Sequence, residues 1–300
     1  MKISTAWSHQ LGLNAVLLQQ NKVNQAQLKL ASGEKFLKPS EAPLDNAQVL
    51  AFQQRIDQIK QFQGNLGAAR QRLGLEETSL KSALDVMNRI KELGLQGLNG
   101  INNQADRNGI ADEIDQMGAQ LLSLANTKNA NGEYLFAGMM NQQVPFKAGA
   151  TPGAPFVYQG DSNQRKIQID DGLTVADGDP GNKVFGPTTS TSADSVFDVI
   201  KTFTTQLRAG NPSAATLGQL EPHLQKMITT ESSIGARLNL IEKQQNAHAD
   251  YLLDMKTAKS RLKDLDYASA ISQFNQETLA LQASQQAFAK VQNLSLFKFI

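Results

Sequence analysis

The chain has 300 residues, of which 40% are hydrophobic and 19% are charged, and its net charge is +1. The length allows two or three domains, and with glycine added the apolar content approaches that of globular proteins, which excludes a disordered polymer. The absence of cysteine excludes disulfides and cysteine-based zinc sites, and the balanced charge gives nucleic-acid binding no electrostatic support.

The N-terminal residues lack the features of a cleaved leader. Residues 1–7 carry one charge but no hydrophobic core and no small-residue cleavage site. No apolar run in the sequence approaches the length of a membrane span. We therefore expect any export to use a route without a cleaved signal.

The first segment predicts an amphipathic helix that ends at Ser32 and Gly33. Because amide side chains make up half of its repeating row, this helix should fold poorly until a partner covers it. Ser40 is the expected N-cap of the next helix, with Pro43 in its first turn. The repeating row consists of Leu11, Asn14, Leu18, Asn21, Gln25 and Leu28.

The second predicted helix carries two neighbouring apolar rows and ends within the glycine-rich residues 94–100. A third helix has an apolar face from Ile110 to Leu124 and should stop near Asn131 and Gly132. Glu76 is the one polar member of the second row. The rows are Ile59, Leu66, Leu73, Leu80 and Met87, and Phe62, Ala69, Glu76, Ala83 and Ile90.

From Glu133 to about Pro187 the pattern changes from helical to β-prone. Asp171 with Gly172, and Asp177 with Gly178, are typical of turns, and they lack the spacing of an EF-hand calcium site. This region predicts a small β domain inserted into a helical bundle. Its five short β-prone runs cover residues 134–136, 156–158, 166–169, 173–175 and 183–185.

Helix resumes after Asp194, and a heptad stripe then runs from Leu217 to Leu262. This stripe predicts one helix of roughly 70 Å that faces a partner helix. Past Leu262 the apolar row changes phase and restarts at Ile271, so we place a boundary near residues 264–266.

Together these patterns predict a mainly α fold with a small inserted β domain and a long heptad-patterned helical bundle. Residues 1–43 with 264–300 would form a terminal-helix assembly domain, 44–132 with 192–263 the bundle, and 133–191 the β domain. Neither terminal helix can bury its apolar row alone. We expect the assembly contacts at Leu11, Leu18, Leu28, Ile271, Phe274, Leu281, Phe288, Leu296 and Phe297.

Motifs for catalysis or metal binding are weak. His9, His223 and His248 lie on separate segments without an i, i+4 pair, which excludes a zincin motif. Ser260 and Lys263 have the Ser-x-x-Lys spacing of serine acyl enzymes, so a coiled-coil serine hydrolase is one alternative. The motif lies on an amphipathic helix, however, and we expect no catalytic residue, no cofactor and no metal site.

Segments along the whole chain resemble the flagellar hook-associated protein 3 family, which is related to flagellin. The likeness is weakest in the β insert. Glu41 and Ala42 depart from the two aspartates usual in this family. The matching segments are residues 1–5, 30–33, 39–43, 129–138, 145–146, 158–161, 234–239, 265–268, 281–288 and 294–297.

The resemblance implies a structural protein of the bacterial flagellum that joins hook to filament. Its implied partners are further copies of the chain in a ring or tube, a neighbouring hook-associated protein, flagellin, and an export chaperone that binds the C-terminal helix. It also implies an extracellular location reached through the flagellar type III system, with no nucleic-acid or membrane partner. Flagellin itself and a cytosolic scaffold remain alternatives.

Overall fold

The computed structural model describes residues 2–149, 156–186 and 195–296. These residues form mainly helices, with two small antiparallel sheets between the third and fourth helix, which confirms the predicted fold class. The helices are α1 (Lys2–Ser32), α2 (Pro43–Gly97), α3 (Gln104–Ala125), α4 (Gly181–Val184), α5 (Val196–Arg208), α6 (Ala214–Gly218), α7 (Leu220–Lys263) and α8 (Tyr267–Leu296). The strands are β1 (Phe146–Lys147), β2 (Val157–Tyr158), β3 (Lys166–Asp170) and β4 (Leu173–Ala176).

Two compact units make up the chain. The terminal unit contains Met1–Gln58 and Asp250–Ile300, and the central unit contains Ile59–Ala249. The terminal unit holds α1, α8 and the adjoining ends of α2 and α7. The division into three domains that the sequence suggests stays a prediction.

The core of the central unit lies where α2 faces α7 and the β insert. Both predicted rows of α2 are buried, from Ile59 to Ile90, and Glu76 is buried with them. Met227, Ile234 and Ile241 supply the heptad row of α7, and all three are fully buried. α3 and α5 pack beside one another. The heptad and helical periodicities therefore identified the core correctly.

α3 begins with a capping box, in which Asn103 and Asp106 each accept a hydrogen bond from the other's backbone N–H. It ends at Ala125, well before the predicted stop, so that prediction was wrong. The reason is that the Asn126 amide pairs with the backbone of Phe146 at 2.9 Å in both directions. Those bonds turn the chain into the insert before another helical turn can form.

The insert consists of two hairpins. β1 pairs with β2 and β3 pairs with β4, with Asp171 and Gly172 in the second turn as predicted. Three predicted strands are confirmed, at Val157–Tyr158, Lys166–Asp170 and Leu173–Ala176. The other two are wrong: residues 134–136 make one isolated bridge, and residues 183–185 lie in and after α4. Phe185 N–H donates to Gly181 O at 2.8 Å, which closes a helical turn. The prediction failed because two adjacent buried residues, Val184 and Phe185, suit a helical turn as well as a strand.

The heptad stripe is interrupted at its start. α6 ends at Gly218 and α7 begins at Leu220, whereas the sequence predicted one helix from Leu217. Pro222 explains this break, because its missing N–H and its ring are tolerated only in the first turn of a helix. At the other end, the predicted change of phase coincides with the break between Lys263 and Tyr267.

Ser40 does not cap α2. It lies in a short 3-10 helix, Pro39–Glu41, and α2 starts at Pro43. Proline is well suited to this first position because its backbone has no N–H to leave unpaired.

Candidate assembly interface

α1 and α8 pack against each other as an antiparallel pair. Position 12 of α1 lies beside Phe288, and the Gln19 side-chain amide donates to the backbone oxygen of Glu277 at 3.2 Å. Over residues 11–26 of α1, the half-buried residues recur every three or four positions, as expected of one helical face. They are Gly12, Val16, Gln19, Val23 and Ala26.

Gly12 allows a close approach between the two helices. A Cβ atom at position 12 would lie 2.8 Å from the Phe288 ring. The ring of Phe288 also packs edge-on against His9, with the two centroids 5.0 Å apart. The glycine therefore forms a slot for one aromatic side chain of α8.

A second face of α1 is left uncovered. Leu11, Leu18 and Leu28, which we call the leucine ridge, are 49%, 58% and 57% exposed. The row predicted from the sequence is thus not the row that packs on α8. Because α1 has apolar residues on two faces, α8 can cover only one of them.

The other predicted contact residues lie on α8 or beyond it, and they differ in exposure. Ile271 is exposed, whereas Phe274, Leu281 and Phe288 are half-buried. Leu296 is the last residue of α8, and no side-chain position is described for it. Phe297 lies outside the described residues. A role of these nine residues in assembly stays a prediction.

The two helices carry few charges. α1 contains Lys2, Lys22 and Lys29 and no acidic residue, and α8 contains only Glu277 and Lys290. A solvated helix normally has charged side chains on the face away from its partner. Here Leu, Asn and Gln take that place, and such a surface is suited to burial against another protein.

The linkers on either side of the pair hold each other. Lys35 N–H donates to Lys263 O at 2.7 Å, and Leu265 N–H donates to Gly33 O at 2.9 Å. Gly33 has φ +70°, and a Cβ there would lie 2.8 Å from the Tyr267 hydroxyl. The sequence signal for this clasp was the glycine after α1, but its partner near the other end of the chain could not be inferred from it.

Ion pairs support the clasp. Lys263 pairs with Glu34 at 2.7 Å and Lys29 with Glu41 at 3.0 Å. The hydrogen bond from Lys29 lowers the pKa of Glu41. Glu41 therefore has a partner even though the second acidic residue usual in the family is absent.

The catalytic alternative gains no support from the geometry. The Ser260 hydroxyl donates to the Asp264 carboxylate at 2.5 Å, and Lys263 is paired with Glu34. A serine nucleophile needs a hydrogen bond to its base, and each of these two residues bonds elsewhere. Within the described ranges, no group of three His, Cys, Asp or Glu side chains could hold a metal ion.

His248 is buried among polar and aromatic neighbours. It shares a hydrogen bond of 2.9 Å with Gln244, lies 3.5 Å from the Asp170 carboxylate and stacks on Phe62. It thus acts as a polar residue of the heptad row that holds the end of β3.

Of the helices described, none is both long enough and apolar enough to cross a bilayer.

Comparison with known proteins identifies the family. The bacterial flagellin N-terminal helical region matches residues 3–141, and the bacterial flagellin C-terminal helical region matches residues 217–300. The flagellar hook-associated protein 3 of Escherichia coli K12 is 27% identical over 99% of both chains. A flagellar filament 31.3 kDa core protein of Treponema maltophilum is 21% identical over 87% of this chain and 86% of the relative.

A solved structure has the same fold. The flagellar junction protein FlgL of Legionella pneumophila superposes with a TM-score of 0.59, at 24% identity, covering 72% of this chain and 99% of that one. The sequence match thus includes both ends of the chain, and the structural match covers most of its length. The chain belongs to the flagellin family and, within it, is similar along its whole length to flagellar hook-associated protein 3.

Proposed function

We propose that this protein is a structural subunit of the bacterial flagellum that forms the junction between hook and filament. It assembles through its terminal helices. The observation that carries the proposal is the leucine ridge, an apolar row on α1 that remains exposed after α8 has packed on the opposite face. Exposed apolar rows of this kind mark protein interfaces.

The junction role is favoured over that of a filament subunit. The hook-associated relative is the more similar of the two, and it aligns with nearly the whole chain, whereas the alignment with the filament relative covers less of both chains. If the purified chain polymerised by itself into long filaments, the flagellin alternative would be preferred.

The proposed partners rest on the family resemblance, and the surfaces left open support them. We infer a ring or tube of identical copies, with a neighbouring hook-associated protein on one side and flagellin on the other. We infer also that a chaperone covers α8 before export through the flagellar type III system. The inferred chaperone contact is supported by two apolar residues, Ile271 and Leu279, that are exposed on α8. Recovery of the intact chain from sheared flagella would exclude a cytosolic scaffold.

We assign the protein no catalytic role. The hydroxyl of Ser260 bonds to the carboxylate of Asp264 and not to Lys263, so the lysine that the motif requires as base is not in place. A reactive serine probe should therefore leave the purified chain unlabelled, and labelling that disappears in Ser260→Ala would revive the hydrolase alternative.

The proposal is tested by placing charge on the ridge. Leu18→Asp with Leu28→Asp should stop incorporation into flagella, because burying two carboxylates without partners costs several kcal/mol. The matched control is Gln20→Asp with Gln27→Asp, which adds the same charge at exposed positions of the same helix outside the ridge.

Both variants are expressed in a motile bacterium whose own copy of the gene is deleted. Swimming and immunogold labelling at the hook–filament boundary are scored, with circular dichroism confirming equal helix content. Normal swimming by the ridge variant, or equal loss in both variants, would refute the proposed interface.

A further inference from the structure

A cluster of charged side chains lies beneath the β insert, in the central unit. It joins three parts of the fold: α2, the insert and α7. Its members are linked by ion pairs and hydrogen bonds, and most of them are buried. They are Arg72 and Glu76 from α2, Glu133, Arg165, Asp177 and Asp179 from the insert, and Arg237 from α7.

Glu76 is the centre of this cluster, which we call the Glu76 cluster. Its side chain is 0% exposed, and one carboxyl oxygen accepts the backbone N–H of Asp179 at 2.9 Å. The other oxygen has no hydrogen-bond partner among the described residues. Gly178 packs directly over it, since a Cβ at that position would lie 3.7 Å from Glu76 Oε2 and 3.2 Å from Arg72 Nε.

The three arginines of the cluster bond to groups other than Glu76, while the Nε of Arg72, like Glu76 Oε2, has no hydrogen-bond partner among the described residues. Arg72 donates to Glu133 at 3.2 Å and to the backbone oxygens of Tyr134 and Leu135. Arg165 pairs with Asp177, and Arg237 pairs with Asp179 and donates to the backbone of Ala176. Each arginine is thus paired with a carboxylate other than Glu76. Among the described residues, Glu76 has no arginine as an ion-pair partner.

Four carboxyl groups face three guanidinium groups, so one bound proton would balance the charge. Glu76 is the group that should hold it. Its burial raises its pKa well above the ordinary value, and the nearby negative charge of Asp179 raises it further, against smaller opposing effects of Arg237 and Arg72. A neutral carboxyl can accept the Asp179 N–H without placing an unpaired charge in the core.

We propose that Glu76 keeps its proton in the folded protein and acts as a proton-dependent latch for the insert. When that proton is lost, residues 164–180 loosen from α2 and α7 while the helices remain folded. The inference concerns the central unit and does not depend on the proposed function.

The direction of the pH effect follows from linkage. In the closed state the insert is held against α2 and α7, and in the open state it is loosened. The closed state binds one proton more than the open state wherever the pH lies between the ordinary pKa of Glu and the raised pKa of Glu76. The opening equilibrium constant therefore rises by up to about tenfold for each pH unit in that window. Below the ordinary value both states are protonated and the latch is fully closed.

The insert has a second titratable contact, which must be separated from the first. At the far end of the β3–β4 hairpin, His248 lies 3.5 Å from Asp170, and Gln244 also donates to that carboxylate. Asn65 holds the same hairpin by donating to Gln168 O at 2.7 Å. His248→Asn removes the imidazole and leaves the residues of the Glu76 cluster unchanged.

The experiment is hydrogen exchange by mass spectrometry on the full chain between pH 4 and pH 9, a range that starts below the ordinary Glu pKa. The intrinsic exchange rate is divided out, so that protection of peptides within 164–180 reports opening alone. In the native chain, protection should fall by up to about tenfold per pH unit and more steeply than in the α2 and α7 peptides. Glu76→Gln should remove this slope, because the amide keeps the acceptor oxygen and does not titrate.

Glu77→Gln is the matched control, since Glu77 is the next residue of α2 but pairs with Lys81 at the surface at 2.7 Å. It and His248→Asn should keep the native slope. The native chain also gives a readout that needs no variant: the infrared band of a protonated carboxyl should disappear over the same pH range. Absence of that band at every pH above the ordinary Glu pKa, a flat native profile, or the same slope in Glu76→Gln would each overturn the latch.

Discussion

The glycines of α2 provide a test of how tightly α6 packs on this helix. At Gly94 a Cβ would lie 2.3 Å from Leu217 Cδ1, 3.1 Å from Cδ2 and 3.3 Å from Cγ. Because Cγ crowds the site as well as both methyl carbons, rotation about the Cβ–Cγ bond of Leu217 alone cannot clear it. Leu217 is also buried, which leaves it little room to move. Gly94→Ala therefore has to displace a core side chain.

The expected magnitude has two opposing parts. Alanine stabilises a helix interior by about 1 kcal/mol relative to glycine, whereas forcing an extra carbon into a packed core costs about 1–3 kcal/mol. Gly94→Ala should therefore be destabilising by roughly 0–2 kcal/mol. At Gly67, no described atom outside its own helix lies within 4 Å of the place that a Cβ would take, so Gly67→Ala should stabilise by about 1 kcal/mol.

The two variants are compared by calorimetric melting of the full chain. One kcal/mol corresponds to about 2–4 °C for a unit of this size, so the transition of the central unit should move in opposite directions. Leu217→Ala is added to complete a double-mutant cycle, which should give a favourable coupling of about 0.5–3 kcal/mol. Equal stabilisation by Gly94→Ala and Gly67→Ala would refute the packing argument.

Four further outcomes are expected. Gly33→Ala should lower stability by about 1–2 kcal/mol, because φ is +70° and the Tyr267 hydroxyl occupies the space of the Cβ; Tyr267→Phe should recover part of this loss in thermal melts. Asn103→Ala should cost about 1 kcal/mol in urea unfolding through loss of the capping box. The Glu76 contribution to stability is complete below the ordinary Glu pKa and is lost as the pH rises through its raised folded value, so Glu76→Gln should be more stable than the native chain at pH 8 and similar at pH 4. Limited proteolysis of the free chain should trim both ends first and leave a core from about residue 44 to 262, as judged by mass spectrometry.

Periodicity predicted the interior of the long helices well. Leu66, Leu73 and Leu80 recur every seven residues, and a single buried face explains all three. The β3–β4 hairpin was equally accessible, because Asp171 and Gly172 mark a turn between two β-prone runs. In each case the information lies within a few residues of the feature it predicts.

Features set by distant residues could not be predicted. The C-terminal end of α3 depends on the pairing of Asn126 with Phe146, and the Glu76 cluster joins residues 103 positions apart. The apolar pattern of the short helix Gly181–Val184 fits a strand equally well, so the local sequence could not distinguish the two structures. The break before α7 had a local signal in Pro222, which marks the first turn of a helix.

The exposed ridge favours the proposed assembly into an array over assembly into a pair. Complete burial of a leucine is worth about 1.5–3 kcal/mol, and Leu11, Leu18 and Leu28 are each about half exposed. Covering all three would then gain roughly 2–5 kcal/mol. Two copies pairing ridge to ridge would gain roughly 4–10 kcal/mol, and bringing two free molecules together costs about 4–15 kcal/mol in lost translational and rotational freedom, so the ridges alone hold at most a weak dimer. A subunit that enters a closed ring contacts several neighbours at once, so the same small gain is repeated against a single loss of freedom. Helices with two apolar faces and few charges are therefore suited to a cooperative tube, in which the isolated molecule stays monomeric until a growing end is present.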